Sequence, residues 1–113
     1  MNLDWKLAEI KPIKNPIVLS KEELNLFLAE YPNWKLDYRE KDGLETLTRN
    51  IPFKNFIQAF GYLSKIALLS EKMDHHAEIY NLYGLVKLTI YTHTSKNLTH
   101  LDRLFAYQAE LLL

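Results

Sequence analysis

Two pairs of short extended segments, separated by one long helical pattern, limit what this chain can become. In the first pair Trp34, Leu36 and Tyr38 alternate with Lys35, Asp37 and Arg39, the period of a strand with one buried face. Lys41-Asp42-Gly43 supplies the reversal, because Asp-Gly tolerates the positive φ of a tight turn, and a partner strand runs from about Leu44 to Ile51, closed by Pro52. The second pair is Ile79 to Tyr83 and Leu85 to about Thr92, joined at Gly84; Val86, Leu88, Ile90 and Thr92 form its inward face. Between the pairs, Phe53 to Met73 reads as the longest helix. At about 100° per residue, Phe53, Phe60 and Glu71 project within about 20° of one another. Phe56, Ile57, Leu63, Ser64 and Ala67 flank them, so this stripe is expected to face the core with Glu71 in line.

The flanking segments are helical. Ser20-Lys21-Glu22-Glu23 matches a capping box, in which the serine hydroxyl accepts the Glu23 amide and the Glu23 carboxylate reaches back. Leu24, Phe27 and Leu28 give the helix that follows an apolar stripe, and Pro32 ends it near Glu30. Thr99, with Asp102 three residues on, caps a last helix striped by Leu101, Leu104, Phe105, Gln108, Leu111 and Leu112. Helix, two strands, helix, two strands, helix is the order of an α+β domain, an antiparallel sheet with helices layered on one face.

With 113 residues, 48% of them hydrophobic, the chain can build one core and not two. Residues 1–18, which carry Pro12 and Pro16 and no sustained period, read as an arm lying on the domain or on a neighbour; residues 19–113 read as the domain. Fourteen basic residues balance fourteen acidic ones, so no basic field is available for a phosphate backbone, and direct nucleic-acid binding is not expected. Without cysteine there is neither a disulfide framework nor a thiolate metal site. The charges in Met1-Asn2-Leu3-Asp4-Trp5-Lys6 do not suit a signal peptide, and no segment approaches membrane-spanning length; a soluble, cytoplasmic protein is expected.

The available chemistry is histidine and carboxylate. Three of the four histidines, His75, His76 and His93, fall between Glu71 and Asp102. An unperturbed imidazole, with a pKa of about 6.5, gives or takes a proton cheaply near neutrality. Adjacent histidines cannot face one way on regular structure, but in an irregular turn after a helix both can reach one pocket; a solvated pair on the surface is the plainer alternative. Strict alternation sends His93 away from the inward face unless the strand ends at Thr92 and the backbone turns there, as the polar run Thr92 to Asn97 allows. The same three imidazoles also have the composition of a hydrolytic zinc site with an open position. His100, in the first turn of the last helix, reads as surface. There is no nucleophile elbow and no Gly-rich phosphate loop.

Glu71-Lys72-Met73-Asp74-His75-His76, followed by Asn81 and Tyr83, then Thr92-His93 and Leu98-Thr99 with Asp102, resembles the signature of the pterin-4a-carbinolamine dehydratases. The similarity extends upstream through Phe53-Lys54-Asn55-Phe56, Ala59-Phe60 and Trp34. It implies a two-layer αββαββα domain with a four-stranded antiparallel sheet, assembled as a homodimer or homotetramer. It also implies removal of water from 4a-hydroxytetrahydropterin, the spent cofactor of aromatic amino acid hydroxylases, to give quinonoid dihydropterin. No metal or cofactor is implied. On this resemblance His75, His76 and His93 are the acid and base candidates; Glu71, Ala77, Thr92, Thr94 and Ser95 line the substrate pocket; Asp102 supports the His93 loop, with Tyr83 as a further supporting residue. Relatives of this kind also serve as coregulators, so a non-catalytic dimerisation module on the same scaffold, with a hydroxylase or regulatory partner, is the alternative. The chain departs from the usual pattern at Ala77, where proline is common, at Ile79, where tryptophan is common, and at Asn97 in place of glycine. Alanine leaves the histidine turn freer than proline would.

Overall fold

The computed structural model describes residues 4–113; the first three residues of the expected arm, Met1 to Leu3, lie outside the described residues. After a single 3₁₀ turn, Asp4–Leu7, come α1 (Lys21–Glu30), β1 (Trp34–Arg39), β2 (Leu44–Pro52), α2 (Phe56–Met73), β3 (Glu78–Leu82), β4 (Leu85–Ile90) and α3 (His100–Leu111). The strands form one antiparallel sheet in the order β1-β2-β4-β3, so the two hairpins meet along β2 and β4. This is the α+β architecture expected from the segment order.

Local chemistry accounts for the boundaries. The Ser20 capping box starts α1, with Glu23 N donating to Ser20 Oγ at 3.0 Å and Ser20 N donating to Glu23 Oε1 at 2.9 Å. Gly43 takes the left-handed conformation, φ 71°, that the first hairpin turn demands. The second hairpin differs from expectation: the left-handed residue is Tyr83, φ 54°, not Gly84. Gly84 is required for another reason. The Phe53 amide donates to its carbonyl at 2.7 Å, and a Cβ there would stand 2.4 Å from the Phe53 carbonyl oxygen.

The long helix starts three residues later than the periodicity suggests, because Asn55 caps it by accepting the Gln58 amide and leaves Phe53 outside. Its buried face is also not the expected one. Ala59, Tyr62, Leu63, Ile66, Leu69, Ser70 and Met73 face the sheet and α3. Phe56, Ile57 and Phe60 are 47%, 81% and 55% exposed, and Glu71 is on the outside with them. The helix carries apolar residues on two stripes, and periodicity alone does not choose between them. On β1, Leu36 and Tyr38 share the face of Trp34 yet are exposed, since helix packing reaches only the Trp34 end of this edge strand. There Glu110 of α3 accepts from Trp34 Nε1 at 2.8 Å and from Arg49 Nε at 2.7 Å. The inward face of β4, Val86, Leu88, Ile90 and then Thr92, is buried as its alternation predicts. The end of the arm joins the domain: Val18 bridges Thr99, and the Leu19 and His100 amides donate to Leu98 and Ile17 carbonyls at 2.9 Å each. Among the described residues no helix is long and apolar enough to cross a membrane.

Replacing Gly84 with alanine should destabilise the fold by about 1–3 kcal/mol, because the obstacle is backbone rather than a movable side chain. The urea midpoint checks this, and an unchanged midpoint would mean that the hairpin tip can move away from Phe53 at little cost.

Candidate active site

The histidine turn is set by how α2 stops. Asp74 adopts the left-handed conformation, φ 47°, and the His75 amide donates back to the Ser70 carbonyl at 3.0 Å, a Schellman-type ending that leaves the next two side chains pointing apart. His75 turns inward. Its Nε2 lies 2.7 Å from Asp102 Oδ1, with the histidine side chain 11% exposed and the aspartate wholly buried. The ring stands edge-on to Phe105. His76 turns outward, its Nε2 2.6 Å from Glu71 Oε2, and both side chains are exposed. Glu71 thus meets a histidine from the surface and not from the apolar face.

Asp102 is the hub of the arrangement. Its second oxygen, Oδ2, accepts from the Thr99 amide at 2.8 Å and from Thr92 Oγ1 at 2.7 Å. Thr99 Oγ1, 2.8 Å from Thr92 Oγ1, is the hydroxyl left to donate into that atom, so Thr99, Thr92 and Asp102 form a directed chain. With Oδ2 taken by these donors, Oδ1, as a carboxylate oxygen, can only accept from an N–H on His75 Nε2, and Nδ1 is the ring nitrogen that makes no bond to Asp102. Through Thr92, Asp102 is bonded to the residue that precedes His93. The link from Asp102 to His75 was not anticipated from sequence.

His93 follows directly. The strand ends at Ile90, sooner than expected, and the backbone turns over residues 93–95, which removes the conflict with strict alternation. Antiparallel pairing of Glu78 with Thr89 brings residues just before β3 and just after β4 to the same end of the sheet. His76 and His93 both emerge there, and both are exposed. Thr94 is exposed beside them; Ser95 Oγ donates to the Asn97 carbonyl at 2.6 Å and closes the loop. The left-handed residue of that loop is Lys96, φ 64°, so Asn97 need not substitute for a glycine's conformation. Ala77 is half-buried against the core at the foot of the histidine turn. Tyr83 is the exception. It sits at the opposite end of β3, 68% exposed, in a turn held by Asn81 Nδ2 donating to the Tyr83 and Leu85 carbonyls. It is a hairpin residue, because β3 carries it away from the histidines. Among the described residues no three histidine, aspartate or glutamate side chains converge as a metal-binding set.

One cluster at this edge was missed. Arg39 donates to both oxygens of Glu78 at 2.8 and 3.0 Å and to Asp42 Oδ2 at 2.7 Å, and its guanidinium lies 4.8 Å from the centre of the Tyr91 ring. Tyr91 Oη donates to Glu78 Oε2 at 2.7 Å. The Tyr91 hydroxyl, then the Arg39 guanidinium, hold the Glu78 carboxyl below its ordinary range, and Arg39 does the same for Asp42. Strand alternation marked Arg39 only as solvent-facing; its partner lies across the sheet, beyond any local signal.

The sequence model of the family described as pterin 4 alpha carbinolamine dehydratase matches residues 17–112. The chain belongs to this family. A protein of Prochlorococcus marinus (strain NATL2A), provisionally named a pterin-4-alpha-carbinolamine dehydratase, is 39% identical over 85 residues, covering 75% of this chain and 83% of the relative. One of Brucella ovis, with the same provisional name, is 39% identical over 84 residues, 74% of this chain and 82% of its own. A crystal structure titled as a transcriptional coactivator/pterin dehydratase from Brucella melitensis superposes with a TM-score of 0.74 at 36% identity, covering 84% of this chain and 97% of that one. The pterin dehydratase family resemblance drawn from Glu71 to Asp102 therefore extends over residues 17–112.

Proposed function

We propose that this pterin dehydratase family member converts 4a-hydroxytetrahydropterin to quinonoid dihydropterin and water, so returning the cofactor spent by aromatic amino acid hydroxylases. The observation that carries the reading is the buried Asp102 carboxylate, which bonds His75 and, through Thr92, anchors the turn bearing His93. A structural scaffold has no need for an imidazole backed in this way.

The reaction breaks the C4a–O bond and removes a proton from the adjacent ring nitrogen. An acid protonates the departing hydroxyl, a base takes the nitrogen proton, and the nitrogen lone pair expels water as the C=N bond forms. His75, His76 and His93 are the groups for these transfers. Since Nε2 of His75 and of His76 each faces a carboxylate, Nδ1 is the atom each presents to substrate. Exposed His76 and His93 can also exchange protons with water afterwards. Glu71, Ala77, Thr92, Thr94 and Ser95 are proposed to line the substrate's place, with Asp102 as a positioning residue. The exposed Phe56, Ile57 and Phe60 of α2 suit burial against a second copy of this chain, in keeping with a dimer or tetramer. The coactivator half of the Brucella melitensis title leaves a regulatory role as the alternative for this scaffold, and retention of all three histidines favours the enzyme.

In a stopped-flow assay with chemically generated 4a-hydroxytetrahydropterin, His76→Ala and His93→Ala should each slow dehydration by about 10²- to 10⁴-fold while remaining folded by circular dichroism. Wild-type rates in both variants would refute the assignment. Activity should also survive a chelator; loss that zinc restores would favour a metal-dependent reaction. Phe60→Glu should lower the mass measured by light scattering to that of a smaller assembly, and an unchanged mass would place the interface elsewhere.

A further inference from the structure

Two of the three site histidines, His76 and His93, are exposed, and the buried Asp102 carboxylate bonds to their chain neighbours, His75 and Thr92, rather than to them. A second restraint reaches both from the first hairpin. Arg39 at the end of β1 and Glu78 at the start of β3 belong to opposite edge strands, which in a flat sheet of four strands would stand about 14 Å apart. Their side chains nevertheless meet across the end of the sheet, Arg39 Nη1 donating to both Glu78 oxygens at 2.8 and 3.0 Å. The guanidinium lies 4.8 Å from the centre of the Tyr91 ring, and Tyr91 Oη donates to the same carboxylate at 2.7 Å. Glu78 is two residues beyond His76, and Tyr91 is two residues before His93. One arginine therefore touches both of the chain segments that carry the exposed imidazoles.

The far side of the His93 loop is tied to the same hairpin. The Glu45 amide donates to the Lys96 carbonyl at 3.0 Å, Lys96 Nζ donates to the Asp42 carbonyl at 3.1 Å, and the Leu98 amide donates to Glu45 Oε1 at 3.2 Å. Arg39 Nη2 in turn donates to Asp42 Oδ2 at 2.7 Å, so the guanidinium holds the hairpin turn as well as Glu78. Exposed ion pairs add little to stability. Placement is another matter, since a shift of about 1 Å at a reacting group can cost on the order of 10²-fold in rate. We propose that Arg39 is a positioning residue for the dehydration: through Glu78 and Tyr91 it fixes the separation of His76 from His93. The inference rests on the dehydratase reading and names what sets the geometry of its two exposed imidazoles; Arg39 itself transfers no proton.

The test sets Arg39→Met, which keeps the aliphatic stem and removes the guanidinium, beside the wild type in the stopped-flow dehydration assay. kcat should fall about 10- to 100-fold while KM stays within about threefold, and the thermal midpoint should move little. Arg39→Lys should restore only part of the rate, because an ammonium cannot serve Glu78, Asp42 and the Tyr91 ring together. Adding Glu78→Gln to Arg39→Met should cost no more than the worse of the two alone, as when one residue acts through the other. In ¹H–¹⁵N spectra Arg39→Met should displace or broaden the backbone amide signals of His76 and His93 and leave those of Thr99 and Asp102 in place. Should Arg39→Met fail to fold, Tyr91→Phe decides: it keeps the ring, loses the bond to Glu78, and should lower kcat at least about threefold. An inactive wild type would overturn the dehydratase reading and this inference with it. An active wild type with unchanged kcat in Arg39→Met or Tyr91→Phe, a loss confined to KM, or full additivity with Glu78→Gln would overturn the inference alone.

Discussion

A wholly buried carboxylate joins the three elements on which the candidate site depends. Removing a carboxylate from water costs several kcal/mol even after relaxation, and Asp102 offsets this with hydrogen bonds from three sources: the imidazole of His75, the hydroxyl of Thr92 and the amide of Thr99. Each hydrogen bond to a charged group is worth about 1.5–3 kcal/mol. The partners come from the turn after α2, the loop after β4 and the cap of α3. One side chain thereby begins a helix, closes a loop and meets an imidazole, so the fold and the candidate site share a single electrostatic centre.

Around that centre the edge is reinforced from the other face of the sheet. Arg39, at the end of β1, reaches across to Glu78, the first residue of β3, with Tyr91 completing the contact. Glu78 stands two residues after His76. Alanine at position 77 does not fix its backbone as a proline would, and the Arg39–Glu78 pair restrains the same turn by a different means. The surface value of such a pair is small on its own; its importance is geometric, in fixing where β3 begins.

Most of the fold was legible because local chemistry and tertiary structure agree. The Ser20 and Thr99 caps, the Asp42-Gly43 turn and the alternation in β4 each specify a boundary or a face without help from distant residues. The long helix shows where this fails. It bears two apolar stripes, and only the sheet decides that Ala59, Ile66 and Met73 are inside while Phe56 and Phe60 are out. That error carried Glu71 to the wrong side. Around the candidate site, the histidines and their loops were legible, whereas the contacts of Asp102 with His75 and of Arg39 with Glu78 join residues 27 and 39 positions apart, beyond the reach of any local signal. Tyr83 illustrates the converse, a residue inside a matching motif whose strand carries it to the far end of the hairpin.

The most direct test of the account is the protonation pattern of His75, read from ¹⁵N-labelled imidazole by long-range ¹H–¹⁵N correlation near pH 8. If Asp102 holds the ring as described, His75 is the Nε2–H tautomer, and Asp102→Asn shifts its signals toward a mixture of tautomers while those of His76 stay as they were. A His75 that carries its proton on Nδ1 in the native chain, or whose signals ignore the Asp102 substitution, would contradict the carboxylate's place at the centre of the site.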